Sequence, residues 1–106
     1  MDENISRQID TTLKELFHGI DDLDRDEIDM EMSDGKFVVE FEDGIKIIVS
    51  RQSAADQIWL AEPGGGWHYS WRGGEWLDDK RGITLVSTLE QLIGEKIGEP
   101  VTLVQA

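Results

Sequence analysis

The apolar residues of this chain change their spacing twice, and those two changes limit the fold more than any other feature. From residue 4 to residue 20 the period is helical. Ile5, Ile9, Leu13, Leu16, Phe17 and Ile20 recur at i, i+4, i+8, i+11, i+12 and i+15. At roughly 100° per residue they fill one stripe about 120° wide, the mark of a helix with one buried face. Glu3, Asp10, Lys14, Glu15 and His18 fall outside it. Asp2 or Asn4 is suited to cap the start, and Gly19 weakens the last turn.

The period then drops to two. Ile28, Met30 and Met32 alternate with Glu27, Asp29 and Glu31, which reads as a half-buried strand. Ser33-Asp34-Gly35 is a hairpin signal. It leads into KFVVEFE (36–42), where Phe37, Val39 and Phe41 share a face. Asp43-Gly44 is a second hairpin signal before IKIIVS (45–50). SRQSAAD (50–56) reads as a polar connection. QIWLA (57–61), WHYSW (67–71) and EWLD (75–78) read as three more strands, separated by the loops EPGGG and Arg72-Gly73-Gly74. After a turn over 78–82 the helical period returns. Leu85, Leu89, Leu92, Ile93 and Ile97 form a stripe, with Thr84 as N-cap and Gly98 just past the end. Pro100 stops the helix, and the VTLV tail is apolar enough to pack against it.

Consecutive strands joined by tight turns make an antiparallel meander, and two amphipathic helices can cover one of its faces. The expected class is α+β: a two-layer sandwich of two helices on one face of a six-stranded antiparallel sheet, as a single domain over residues 1–106. The other face then meets solvent. No internal repeat or linker interrupts it.

There is no cysteine, which removes disulfides, thiolate metal sites and a cysteine nucleophile, and suits a reducing, cytoplasmic setting. No run of about 18 apolar residues is present to span a membrane. The opening MDENISRQID is acidic and polar, unlike a signal or transit peptide. The net charge is −13, and residues 1–34 alone carry −9 of it. Such a chain repels nucleic acid and anionic lipid, and its natural partners are cations and basic protein surfaces.

The charge is densest in GIDDLDRDEIDMEM (19–32), where Asp21, Asp22, Asp24, Asp26, Glu27, Asp29 and Glu31 are interrupted by a single Arg25. Asp22, Asp24 and Asp26 match the start of a calcium loop. The required sixth and twelfth positions hold Glu27 and Ser33, so an EF-hand does not fit. A charged edge that discourages aggregation accounts for the run. So does a ridge of hard oxygen ligands for hydrated cations that also attracts a basic partner. His18 precedes Asp21 and Asp22 by one helical turn and is a further candidate ligand.

No catalytic signature accompanies these residues. His68 has no nucleophile or acid at a motif spacing, and PGGG lacks the G-K-[ST] of a phosphate loop. Trp59 lies between the core-facing Ile58 and Leu60, so it points to the side without helices, beside Gln57 and near Trp67 or Trp71. There it serves either as a binding hot spot or as a cover over the open face.

The segment SRQSAADQIWLAEPGGGWHYSWRGGEWLDDKRG (50–82) resembles the bacterial frataxins (CyaY family). It resembles that family's N-[RK]-Q-x4-Q-[IV]-W-L core, with Ser50 at the Asn position, followed by its aromatic strand, G-x-x-W strand and D-x-x-G turn. FEDGIKIIVSRQ resembles the preceding hairpin, and the likeness extends over essentially the whole chain. The resemblance implies an iron-binding, non-enzymatic protein of iron–sulfur cluster assembly. It implies weak binding of Fe2+ and Fe3+, and of other divalent cations, on an acidic ridge. The implied partners are a cysteine desulfurase and the iron–sulfur scaffold protein, with a monomeric state and iron-dependent oligomers. By position Asp21, Asp22, Asp24, Glu27, Asp29 and Glu31 match the ridge, with Asp26 in the same stretch and His18 adjoining it. Gln52, Gln57 and Trp59 match the contact surface. Ser50, in place of the usual Asn, and His68 complete the expected partner face. Phe17 and His18 stand where the family often has acids, so the ridge is shorter on the helix. An acidic decoy for a nucleic-acid-binding protein and a weak ferroxidase that stores iron are the rival readings.

Overall fold

The computed structural model describes residues 3–103. Helix α1 (Glu3–Asp21) is followed by β1 (Ile28–Ser33), β2 (Lys36–Phe41), β3 (Lys46–Gln52), β4 (Gln57–Glu62), β5 (Gly65–Arg72), β6 (Glu75–Asp78) and helix α2 (Leu85–Ile97). The strands form one antiparallel sheet in sequential order, β1-β2-β3-β4-β5-β6. Both helices cover the same face, as the alternation predicts.

The core is the inner face of the sheet sealed by the two helix stripes. Ile9, Leu13, Leu16 and Ile20 of α1 and Leu85, Leu89 and Ile93 of α2 are buried against Phe37, Val39, Ile47, Val49, Ile58, Leu60 and Tyr69. Ile5, Phe17, Leu92 and Ile97 flank it, half-buried. α1 runs through Gly19 to Asp21 because Ile20 is buried and anchors the last turn. Asn4 is already inside the helix, so it is not the cap, and Asp2 lies outside the described residues. Thr84 caps α2 as expected: its hydroxyl accepts from the Ser87 N–H at 3.0 Å, and Gly98 closes the helix with φ of 73°. In the tail, Leu103 enters the core and its N–H donates to Glu90 on α2, while Val104 lies outside the described residues.

Two segments read as loops are strand. Ser50, Arg51 and Gln52 pair with Trp59, Ile58 and Gln57, so the connection shrinks to a single 3-10 turn, Ser53–Ala55. Gly65 and Gly66 pair with Glu62 and Ala61, and β5 begins two residues before Trp67. In both cases ladder hydrogen bonds override weak intrinsic β propensity. β1 also departs from expectation. Ile28 and Met30 are only half-buried and Met32 is 38 % exposed, because β1 is an edge strand that the helices do not fully cover.

Long-range polar ties hold the layers in register. Arg51 reaches from β3 to Asp10 on α1 at 2.6 Å. The Trp76 indole donates to the Thr12 hydroxyl at 3.0 Å, joining β6 to α1 inside the core. Tyr69 donates to Thr88 at 2.8 Å, joining β5 to α2.

Candidate functional site

The acidic run folds into a chain reversal at one end of the sandwich. After α1, successive backbone bonds tighten the turn: Asp22 N–H to His18 O, Leu23 N–H to Ile20 O and Asp24 N–H to Asp21 O. Asp24 then takes a left-handed conformation with φ of 53°, which Asp tolerates better than most residues. The chain swings back into β1, and Asp21, Asp24 and Asp29 come to line one crevice of about 290 Å3 between α1 and the sheet edge. Asp22, Asp26 and Glu31 are exposed around it.

Two kinds of carboxylate result. Glu27 is held by both oxygens on Arg25, at 3.1 and 2.7 Å, and Arg25 also reaches Glu99 beyond α2 at 3.0 Å. The guanidinium holds the Glu27 carboxyl below its ordinary range, and the two carboxylates push the Arg25 proton affinity up. Arg25 is therefore a clamp rather than a mere interruption, and Glu27 is engaged. By contrast, no ion pair among the described residues engages Asp21, Asp22, Asp24, Asp26, Asp29 or Glu31. Their oxygens are free for water, cations or a partner. Among the described residues no three acids or histidines converge as a single metal cage. His18 is exposed on the last turns of α1, edge-on to Phe17, and does not change that.

The second feature is on the open face of the sheet. Register places Ser50 opposite Trp59, Trp59 opposite His68, and Gln52 opposite Gln57, so all five residues of the expected partner face share adjoining strands. The His68 and Trp59 rings stack, with centroids 4.1 Å apart and planes within 13°. The Trp59 indole donates to Gln57 at 2.8 Å. Gln57 in turn donates to Asp79 at 2.6 Å, and Ser70 donates to Asp79 at 2.7 Å. Gln52 donates to Ser50 at 3.3 Å. Trp59 is thus held in one orientation by its neighbours on β4 and β5, as an ordered platform.

Trp67 and Trp71 are not beside it. They pair with Leu60 and Trp76 and face the helices, because odd-numbered residues of β5 share the core phase of Tyr69. Ser70 and Asp79 complete the platform and were not legible in the sequence. The register of β4 against β5 brings Ser70 to Gln57, and the pairing of β6 with β5 brings Asp79 there, although the D-x-x-G turn signal did mark the neighbourhood of Asp79.

The family model for the frataxin-like domain matches residues 1–99. The chain belongs to the frataxin family. Frataxin from Psychromonas ingrahamii, of the CyaY family, superposes with a TM-score of 0.88 at 25 % identity, over 96 % of both chains. Trimeric frataxin from Saccharomyces cerevisiae, complexed with ferrous iron, gives 0.73 at 25 % identity, over 93 % of this chain and 89 % of that one. The yeast trimer with its full-length N-terminus gives 0.77 at the same identity, over 86 % and 79 %. No helix among the described residues is long and apolar enough to cross a membrane.

Proposed function

We propose that this frataxin-family chain binds iron as a cargo and regulates iron–sulfur cluster assembly in the bacterial cytoplasm, without being an enzyme. The observation that carries the reading is the cluster of six unpaired carboxylates, Asp21, Asp22, Asp24, Asp26, Asp29 and Glu31, at the α1–β1 reversal. Hard carboxylate oxygens suit Fe2+ and Fe3+, and other divalent cations to a lesser degree. Because they line a crevice and its rim without converging, they hold the ion through its water shell. Binding is then weak and the ion easily passed on.

The same ridge docks a basic groove on the cysteine desulfurase, with electrostatic attraction setting the approach. The Trp59 platform, with Gln52, Gln57, Ser50 and His68, contacts the scaffold protein. The yeast relative bound to ferrous iron supports the cargo, and its trimeric form supports oligomers in the presence of iron. A decoy for basic proteins has no use for the ordered Trp59 platform. A ferroxidase centre lacks a converging donor set among the described residues.

The test is anaerobic Fe2+ titration by calorimetry, together with affinity for purified desulfurase. The reference is the wild type and the variant is Asp22→Asn/Asp24→Asn/Asp29→Asn/Glu31→Gln. The variant should lose both interactions. Unchanged desulfurase affinity would remove the ridge from the mechanism.

A further inference from the structure

We infer that the cavity between the middle of α1, the β5–β6 turn and the start of α2 is a binding site for a small organic ammonium ion. It has a volume of about 350 Å3, within the range that holds small organic ligands. It lies beside Gln8–Glu15 on α1, away from the acidic reversal.

Its walls specify the ligand. Trp71 and Trp76 form an aromatic side, their ring centroids 5.2 Å apart and tilted by 55°. Leu85 and Val86 extend the apolar surface. Trp76 is held by its hydrogen bond to Thr12, which satisfies its indole N–H. The charged lining residues are Glu15 and Glu75, and no Lys, Arg or His lines the cavity. Neither carboxylate enters an ion pair among the described residues. Indole faces attract cations, and two carboxylates beside them add to that attraction.

The start of α2 works against a cation, but only as roughly half a positive charge against two full negative ones. The Thr84 hydroxyl also satisfies one of its free N–H groups. An apolar body against the tryptophans with an ammonium head toward Glu15 and Glu75 therefore fits, whereas an anion does not. An inorganic cation leaves the apolar wall unused.

The probe is phenethylammonium, with 2-phenylethanol as its neutral counterpart, added to the full chain and followed by NMR of the four indole N–H groups. The Trp71 and Trp76 signals should shift saturably, while those of Trp59 and Trp67 stay in place. The alcohol should bind about tenfold more weakly, since one ion–carboxylate contact of moderate strength corresponds to that ratio. Glu15→Gln/Glu75→Gln, which breaks no ion pair and fills the same space, should reduce the amine to the affinity of the alcohol. Equal binding of amine and alcohol overturns the inference. So does full affinity in the double variant, absence of saturation, or shifts confined to the acidic reversal or to Trp59.

Discussion

Removing the buried acceptor on α1 that receives the Trp76 indole gives the sharpest test of how the two layers are locked. Thr12 is 7 % exposed and Trp76 is 5 % exposed, and the bond between them is 3.0 Å long. Thr12→Val keeps the shape and deletes only the acceptor. The Trp76 N–H then loses its Thr12 acceptor at a position that is almost fully buried. The loss of the bond and the stranded donor together cost about 1–3 kcal/mol. Valine's extra apolar surface recovers well under ~1 kcal/mol of that. In urea, with a slope of about 1–3 kcal/mol per molar, the midpoint should fall by roughly 1 M. On heating, a domain this size should melt about 4–12 °C lower.

Trp76→Phe removes the donor instead, so the double variant strands nothing. It should cost less than the two single changes added together, with a coupling of about 1 kcal/mol or more. Fe2+ binding should not move, because Thr12 lies about two and a half turns of α1 before Asp21, where the acidic reversal begins. A Thr12→Val midpoint equal to wild type, or strictly additive costs, would refute a hydrogen bond as the lock.

Other consequences follow for the ridge, the platform and the surface pairs. Trp59→Ala should leave Fe2+ affinity and the fold intact while impairing modulation of cluster assembly in a reconstituted system; an unchanged assembly rate would show that the platform has no role. Mutual repulsion among the unpaired acids should make the melting temperature rise with salt and with divalent cations, and the four-fold neutralised variant should lose both responses. Lys96 pairs with Asp43 across α2 and the β2–β3 turn, and it lowers the Asp43 carboxyl below its ordinary range. A group depressed in the folded state contributes stability above its unfolded value and loses it as pH falls through its folded value. Lys96→Met should therefore flatten the acid side of the stability–pH profile relative to wild type, and superimposable acid limbs would exclude the pair as a contributor.

Much of the fold was written in local periodicity. The α1 and α2 stripes were legible because a helix repeats its buried face within a short window, and Ile9, Leu13, Leu89 and Ile93 lie where that repeat puts them. Strand order was legible because Asp34-Gly35 and Asp43-Gly44 permit only tight reversals between neighbours. The orientation of Trp59 away from the helices followed from its phase against Ile58 and Leu60. Misjudged segments were those whose state depends on a distant strand. Ser50–Gln52 and Gly65–Gly66 carry no β signal of their own and become strand through pairing with β4. Met32 carries the right phase, yet it stays exposed because its strand is at the edge.

The site divides along the same line. That the acids concentrate between residues 21 and 31 is a fact of sequence, since charge density along a chain needs no fold to exist. Which of them are free was decided by tertiary structure. Arg25 reaches Glu99, a residue 74 positions away, and takes Glu27 with it, while the left-handed turn at Asp24 brings Asp21 and Asp29 to one crevice. The same holds for the platform: Asp79 and Ser70 join Gln57 only through strand register. Local pattern determines which face each residue occupies, because that depends on the backbone period alone. Which residue meets which depends on long-range closure, and only the packed sheet and helices supply it.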